Sequence, residues 1–184
     1  MSRRDSGDRA DRLISLCAIV AAVAAVLVSA YAAYMQREQL KISVWPHLSQ
    51  SNRMTPGQPY VRTVRNGGMG PALVRSFQVS VDGQPHRSWS AVVKAATGLP
   101  APPALVYSSL GPGTVVLPGA EVELLRLPAG PEAAAFWTVM QDDRVSLRIC
   151  YCSLRGDCWV GDSGEPDPRP VRRCQPDPGR EFAD

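Results

Sequence analysis

The chain has 184 residues, enough for one domain and an additional segment. Charged residues make up 20% of it and the formal net charge is +3, and this small, scattered basic excess gives no argument for nucleic-acid binding. Only two histidines, His47 and His86, are present, which limits acid–base and metal chemistry. The 17 prolines and 15 glycines indicate a loop-rich β domain with many turns.

The first predicted element is a membrane-spanning helix. Residues 13–34 read LISLCAIVAAVAAVLVSAYAAY without a charge, and a helix of this length covers the roughly 30 Å of a bilayer's hydrocarbon core. Tyr31 and Tyr34 lie at its far end, where amphipathic rings favour the headgroup level. We therefore predict residues 13–35 as a transmembrane helix whose partner is the lipid bilayer.

The orientation of this helix follows from the charges that flank it. The basic bias lies on the N-terminal side, which favours a cytoplasmic tail over residues 1–12. A cleavable signal peptide is the alternative, because Ala30-Tyr31-Ala32 fits a cleavage site, although the apolar run exceeds the usual length of about 7–15 residues. The flanking charges are Arg3, Arg4, Arg9 and Arg12 before the helix, and Arg37, Lys41 and Arg53 after it.

Residues 36–163 are predicted to form a β domain outside the cytoplasm. A short strand over Ile42–Trp45 ends at Pro46, and a polar loop continues to about Gly57. Residues 60–65 alternate as a strand, and the glycine-rich segment 66–71 follows as a turn. Residues 73–81 form the next strand, whose apolar face is broken at Arg75 by a bulge or near the strand's start.

A hairpin signal at Asp82-Gly83 and a short helix come next. Trp89, Val92, Val93 and Ala96 recur at helical spacing, Ser88 is placed to cap that helix, and Gly98 is placed to end it.

The second half of the domain repeats this pattern. Short strands are predicted over residues 104–108, 114–117 and 121–127, and a helix begins at Pro131, buries Phe136, Trp137 and Met140, and ends at Asp142-Asp143. Val145, Leu147, Ile149 and Tyr151 mark a strand whose hairpin partner carries Trp159-Val160. Residues 164–184 are Pro-rich and charged and are predicted as an extended C-terminal tail.

Many short strands separated by Gly and Pro turns are typical of a β-sandwich. The predicted fold is therefore mainly β, an immunoglobulin-like sandwich with two short helices, preceded by one transmembrane helix.

The cysteines carry most of the chemistry. Cys17 lies in the apolar helix, and the other four lie in a domain predicted to be in an oxidising compartment, so they imply two disulfides. A three-residue loop at 154–156, with Gly156 left-handed, places Cys152 opposite Cys158. Cys150 shares the outer face with Cys152, so Cys174 can reach it, and we predict Cys152–Cys158 and Cys150–Cys174.

Three alternatives compete with this pairing. A shifted register would place Ser153 opposite Cys158. A four-cysteine zinc site is disfavoured because the close pair is Cys-x-Cys, whereas zinc sites prefer Cys-x₂₋₄-Cys. A redox-active pair is disfavoured by the absence of Cys-x-x-Cys.

Several of these segments together resemble a known organisation. The matches are Trp45-Pro46, Asn66 with Gly68, Gly70, Pro71 and Ala72, and Cys150-Tyr151-Cys152-Ser153 with Cys158-Trp159. The chain resembles a group of uncharacterised bacterial single-pass membrane-anchored proteins, although Val44 stands where that group has Ser. The resemblance implies a bacterial envelope location and brings no activity with it.

The remaining candidate sites favour structural interpretations. The glycine-rich turn lacks the Lys-Ser/Thr and helix of a phosphate loop, and the acidic residues lack the spacing of a calcium loop. His47 and the serines lack the partners of a catalytic triad, and the tryptophans are expected as core or interface anchors. The acidic residues are Asp142, Asp143, Asp157 and Asp162, the serines are Ser108, Ser109 and Ser153, and the tryptophans are Trp45, Trp89, Trp137 and Trp159.

We therefore expect no catalytic residue, no cofactor and no bound metal. The leading hypothesis is a non-enzymatic envelope module that binds another protein or associates with itself, on the periplasmic side of a bacterial inner membrane. A ligand sensor or enzyme with a Trp-lined pocket, and a structural spacer, are the alternatives.

Overall fold

The computed structural model describes residues 4–101 and 104–184. Within these ranges the chain has ten strands and three helices in two compact units, Met1–Ile42 and Ser43–Asp184. The elements in chain order are α1 (Arg4–Ser43), β1 (Leu48–Arg53), β2 (Tyr60–Asn66), β3 (Ala72–Val81), β4 (Gln84–His86), α2 (Trp89–Thr97), β5 (Val106–Tyr107), β6 (Val115–Val116), β7 (Glu121–Leu127), α3 (Pro131–Gln141), β8 (Val145–Cys152), β9 (Cys158–Asp162) and β10 (Arg169–Val171).

Helix α1 is one continuous helix of 40 residues. Its segment Leu13–Gln39 is long and apolar enough to cross a membrane, and a signal sequence near an N-terminus meets the same criteria. The large apolar side chains along it, from Leu13 to Tyr34, are exposed, as expected of a helix that has no protein core of its own to enter.

The second unit is a sandwich of two antiparallel sheets. The first sheet has the order β1-β2-β7-β5 and the second has the order β10-β9-β8-β3-β4, with β6 also paired to β3. If β1, β2, β5 and β7 are taken as A, B, D and E, and β3, β8 and β9 as C, F and G, the sheets reproduce the A-B-E-D and C-F-G arrangement of immunoglobulin domains. The predicted fold class is therefore confirmed.

Both short helices of this unit occur where the sequence predicts them. The Ser88 side chain accepts a hydrogen bond from the Ala91 N–H at the start of α2, and Gly98 ends that helix in the left-handed conformation, at φ 73°. Helix α3 begins with Pro131 and ends at Asp142. The two helices pack against each other on connections between the sheets.

The core fills the space between the sheets and includes residues from both helices. Strand β3 contains a bulge that adapts its side chains to this core. The register of β3 against β8 shifts between Val74 and Ser76. This bulge exposes Arg75 and lets Val74 and Phe77, three positions apart, both lie buried. The break at Arg75 is thus a bulge.

Two expectations for the start of the domain are wrong. Ile42 and Ser43 continue α1 and Val44–His47 is a turn and loop, so the strand predicted over Ile42–Trp45 does not form. The polar loop predicted before Gly57 instead contains β1, which pairs with β2 along its whole length. The inward face of β1 carries the polar residues Gln50 and Asn52. The strand therefore lacks the alternation of apolar and polar residues by which it could be predicted.

The C-terminal segment is built into the sandwich. Strand β10 pairs with β9, and Phe182 is buried between Phe77 and Trp89, at ring-centroid distances of 5.3 and 5.0 Å. The Phe182 N–H donates to the Phe77 carbonyl at 2.9 Å and the Glu181 carboxylate accepts from the Phe77 N–H at 3.0 Å. The segment therefore covers the part of the β3 edge that β4 and β6 leave free.

A candidate interaction surface at the entry end of the domain

Four loops meet at the end of the sandwich where the chain enters from α1, and we call this the entry end. They are residues 44–47, 67–71, 117–120 and 153–157. The strand registers bring them together, since Leu48 pairs with Asn66, Ala72 with Val116, and Leu73 with Cys152. All three sequence segments that carry the resemblance lie at or beside this end.

The entering chain is held by the backbone of the glycine-rich turn. The Gly67 N–H donates to the His47 carbonyl at 2.8 Å, and the Trp45 carbonyl accepts from the Met69 and Gly70 N–H groups at 2.9 and 3.1 Å. These hydrogen bonds attach residues 45–47 to the domain, so the turn has a structural role.

Two of the glycines are required by close approach. A Cβ on Gly68 would lie 2.4 Å from the Trp45 carbonyl oxygen, and one on Gly70 would lie 2.1 Å from the Val44 carbonyl oxygen. Neither backbone can withdraw without losing its hydrogen bonds. The spacing of Gly68 and Gly70 in this turn therefore reflects contact between two main chains.

Asn66 is the centre of this arrangement and is fully buried. Its Oδ1 accepts from the His47 and Gly68 N–H groups at 3.1 and 3.0 Å, and its Nδ2 donates to the Gly70 and Val116 carbonyls, both at 2.9 Å. The amide thereby uses both donors and both acceptor positions, and it joins three of the four loops.

Tyr151 connects the β8–β9 hairpin to the same end. Its hydroxyl accepts a hydrogen bond from the Leu48 N–H at 3.2 Å, and its ring stacks on Trp159 at 6.0 Å. Burial raises the pKa of Tyr151 to about 12, which the Leu48 hydrogen bond partly offsets. Tyr151 is therefore a neutral, structural phenol at ordinary pH.

The four cysteines of the domain form two disulfides, Cys150–Cys174 and Cys152–Cys158. The second pair follows from the hairpin register, with Cys152 directly opposite Cys158 and Gly156 left-handed at φ 88°, and the first agrees with the pairing expected for Cys150 on the outer face of β8. Cys17 is the one free cysteine of the described residues and lies exposed on α1.

The two disulfides lie side by side. The Sγ atoms of Cys152 and Cys174 are 3.8 Å apart, and the sulfurs of Cys152, Cys158 and Cys174 all lie within 4.8 Å of one another. A disulfide sulfur carries no thiolate charge, so this cluster acquires metal ligands only after reduction.

A buried arginine inside the first sheet has no counterpart among the predicted sites. Arg62 is 4% exposed, and its guanidinium donates to the side-chain oxygens of Asn52 and Gln50, while its Nε has no partner. Burial lowers the pKa of Arg62, and the hydroxyl of Tyr60 also donates to Asn52 at 2.8 Å. The signal for this network in the sequence is Arg62, which interrupts the apolar face of β2, together with the inward amides Gln50 and Asn52 of the neighbouring strand.

The other candidate polar residues have structural contacts. The buried Ser153 hydroxyl accepts from the Arg155 N–H at 3.2 Å, Asp162 pairs with Arg169 at 2.9 Å, and the His47 ring lies 5.3 Å from Trp45. Among the side chains that the structure describes, no serine hydroxyl is hydrogen-bonded to a histidine ring. Asp142 caps α3 and Asp143 has a positive φ of 54°, so both serve the turn after that helix.

The tryptophans divide between the core and the surface. Trp89 is buried, Trp137 packs against Tyr60 at 6.3 Å, Trp159 packs on Tyr151, and Trp45 remains 43% exposed at the entry end. Three clefts of about 250 to 380 Å³ lie on the surface between polar and apolar residues, and no tryptophan lines these three.

Comparison of the chain with protein-family models, with curated proteins and with solved structures found no match in any of the three.

Proposed function

We propose that this chain is a single-pass protein of a bacterial inner membrane, with its N-terminus in the cytoplasm and its immunoglobulin-like domain in the periplasm. The domain serves as a non-enzymatic module that binds another envelope protein or a second copy of itself. The observation that carries this proposal is that all four cysteines of the folded domain pair as disulfides, in a domain that follows one long apolar helix. Disulfides persist in oxidising compartments and are rare in the cytosol.

The absence of enzymatic activity is supported by how the polar side chains are used. The buried ones described above, Asn66, Ser153 and the Arg62 network, are engaged with the backbone or with neighbouring amides. Catalysis requires a nucleophile or base held within reach of a substrate in a cleft. The three clefts described above have linings of mixed polarity with no such constellation, and no tryptophan lines any of the three.

The surface offers an apolar sheet edge for a protein partner. Strand β5 forms one edge of the first sheet, and its residues Val106 and Tyr107 are 54% and 45% exposed. An edge strand with exposed apolar side chains is a common site of strand addition or edge packing.

Thiol labelling of the full chain in isolated membranes tests the location. A maleimide applied after denaturation without reductant should modify one cysteine, Cys17, and the same treatment after reduction should modify five. Five labels without reductant would contradict the periplasmic assignment. The intact mass distinguishes an uncleaved anchor from a cleaved signal sequence.

Site-specific photocrosslinking tests the interaction. A photoreactive amino acid at Tyr107 should yield an adduct with one envelope protein or a dimer, whereas the same probe at the exposed Arg148 of the other sheet should not. Recovery of monomer alone from both positions would contradict a protein-binding role for this edge.

A further inference from the structure

Each of the four loops at the entry end exposes one large apolar side chain. Trp45 is 43% exposed, Met69 70%, Leu117 61% and Leu154 64%. Val115, on the short strand β6 that precedes Leu117, is 50% exposed. Exposed apolar residues scattered singly over a surface need no explanation, but a concentration on one end of a domain marks a site that meets an apolar partner.

These side chains are concentrated at this end. Among the described residues of the second unit, the large exposed apolar ones are these five and the pair Val106 and Tyr107 on β5. The pair lies beside Arg126 and Leu125, near the end of β7 that is farther from the entry end. Three of these loops are held in place by the Asn66 hydrogen bonds, and the Cys152–Cys158 disulfide closes the hairpin that carries the fourth, so their apolar side chains project from a fixed platform.

The chain connectivity identifies what this end meets. Helix α1 ends at Ser43, and Trp45 is the second residue after it. A chain extends at most about 3.5 Å per residue, so the segment from Gln39 to Val44 keeps Val44, the first residue of the entry end, within about 20 Å of Gln39, where the long apolar segment ends. The headgroup layer of a bilayer is itself about 5–8 Å thick on each side. When α1 spans a bilayer, the entry end therefore has the lipid surface as its nearest apolar neighbour.

We infer that the entry end rests on the outer surface of the bilayer, with Trp45, Met69, Leu117 and Leu154 inserted among the lipid headgroups. This inference depends on the proposed membrane anchoring of α1. Tryptophan is suited to that depth because its ring is apolar and its indole N–H reaches water or a headgroup. The polar residues of the same loops, His47 and Arg155, remain at the aqueous rim of the contact.

The test uses the full chain in phosphatidylcholine vesicles. A polarity-sensitive fluorophore is attached to Met69→Cys, and in a second variant to Leu117→Cys, both in a Cys17→Ser background. Val106→Cys, also an exposed apolar position but away from the entry end, is the matched control. Lipids that carry a spin label near the headgroup quench a fluorophore that lies at their depth.

We expect emission at Met69 and Leu117 to be lost when the spin-labelled lipid is present and emission at Val106 to be unchanged. Apolar side chains of interfacial segments reach about 5–10 Å into the headgroup boundary, which is within range of the quencher. Unquenched emission at Met69 and Leu117, or equal quenching at all three positions, would overturn the inference. A blue shift without lipid quenching that grows with the protein-to-lipid ratio would show that a second copy covers this end, and would overturn it too.

A fluorophore on the native Cys17 separates this result from failure of the anchor. Cys17 lies within Leu13–Gln39, so its emission should be quenched by spin labels deep in the acyl chains. Quenching at Cys17 without quenching at Met69 would refute the docked entry end and leave the anchoring intact. No quenching at Cys17 would refute the anchoring itself.

Discussion

Asn66 and the glycines beside it act as a single unit. A buried amide that uses all its donors and acceptors stabilises one arrangement of the loops around it, and any substitution leaves backbone groups without partners. The two close glycines set how near the entering chain can come. The Asn66 amide and the missing side chains of Gly68 and Gly70 therefore both allow the entering chain to pack against this turn.

Adjacent glycines in this turn should differ sharply in their tolerance of alanine. Gly68→Ala places a Cβ 2.4 Å from the Trp45 carbonyl and should lower the free energy of unfolding by about 3 kcal/mol, the upper part of the range for overpacking. In Gly67→Ala the nearest atom is 3.9 Å away, so stability should change by less than about 1 kcal/mol. Urea unfolding of the full chain in detergent, followed by tryptophan fluorescence, measures both. Equal stabilities for the two variants would contradict the proposed main-chain contact.

Ionisation of Tyr151 should lower the stability of the domain at alkaline pH. Its pKa is raised from 10.0 to about 12, so the folded state favours the neutral phenol. The resulting stability is fully present below about pH 10 and is lost as the pH rises through about 12. The stability difference between wild type and Tyr151→Phe should therefore shrink over this interval, as measured by urea unfolding at successive pH values. A difference that stays constant would show that Tyr151 ionises equally easily in both states.

The elements of the domain differ in how visible they are in the sequence. Helix α2 is predictable because its apolar spacing, its Ser88 cap and its Gly98 terminator agree. Strand β1 is not predictable, because its inward residues include the amides that bind Arg62. Alternation with a period of two residues can be recognised only when one face of the strand is apolar. The sequence of Ile42–Trp45 predicts a strand that does not form, because a four-residue apolar alternation cannot be distinguished from the last turn of a helix.

The entry end was only partly predictable. The turn at residues 66–71 and the cysteine pairing follow from local signals, namely Gly residues with special conformations and the loop length of a hairpin. The convergence of four loops depends on registers between strands distant in sequence. Single apolar residues within turns, such as Met69 and Leu154, carry no periodicity by which they could be recognised.

The C-terminal element should be needed for stability despite its composition. Phe182 is 5% exposed and packs on Phe77 and Trp89, so Phe182→Ala should cost about 3–5 kcal/mol, as is typical for removal of a buried aromatic ring. Arg180→Ala, an exposed change in the same segment, should cost less than about 0.5 kcal/mol. Denaturant unfolding of both variants measures these effects. Similar small losses would indicate that residues 180–184 are detached in solution.

At the scale of the whole molecule, the disulfides determine whether the C-terminal segment can complete the sandwich. Cys150–Cys174 ties that segment to β8 before it crosses to the β3 edge, and Cys152–Cys158 closes the hairpin at the entry end. The first spans 24 positions of sequence and the second spans six. In the chain-entropy model they stabilise the fold by about 3 and about 2 kcal/mol respectively.

Reduction should therefore remove about 5 kcal/mol, comparable with the whole stability of many domains, about 5–15 kcal/mol. At about 3 °C per kcal/mol for a domain of this size, Tm of the full chain in detergent should fall by about 15 °C in the presence of a phosphine reductant. The double variant Cys150→Ser, Cys174→Ser should lose about 3 kcal/mol without reductant and only about 2 kcal/mol more with it. Cys17→Ser should behave as wild type, since Cys17 forms no disulfide. An unchanged Tm in protein that mass spectrometry shows to be fully reduced would mean that packing alone holds the sandwich, and that oxidation is not what makes the fold depend on its compartment.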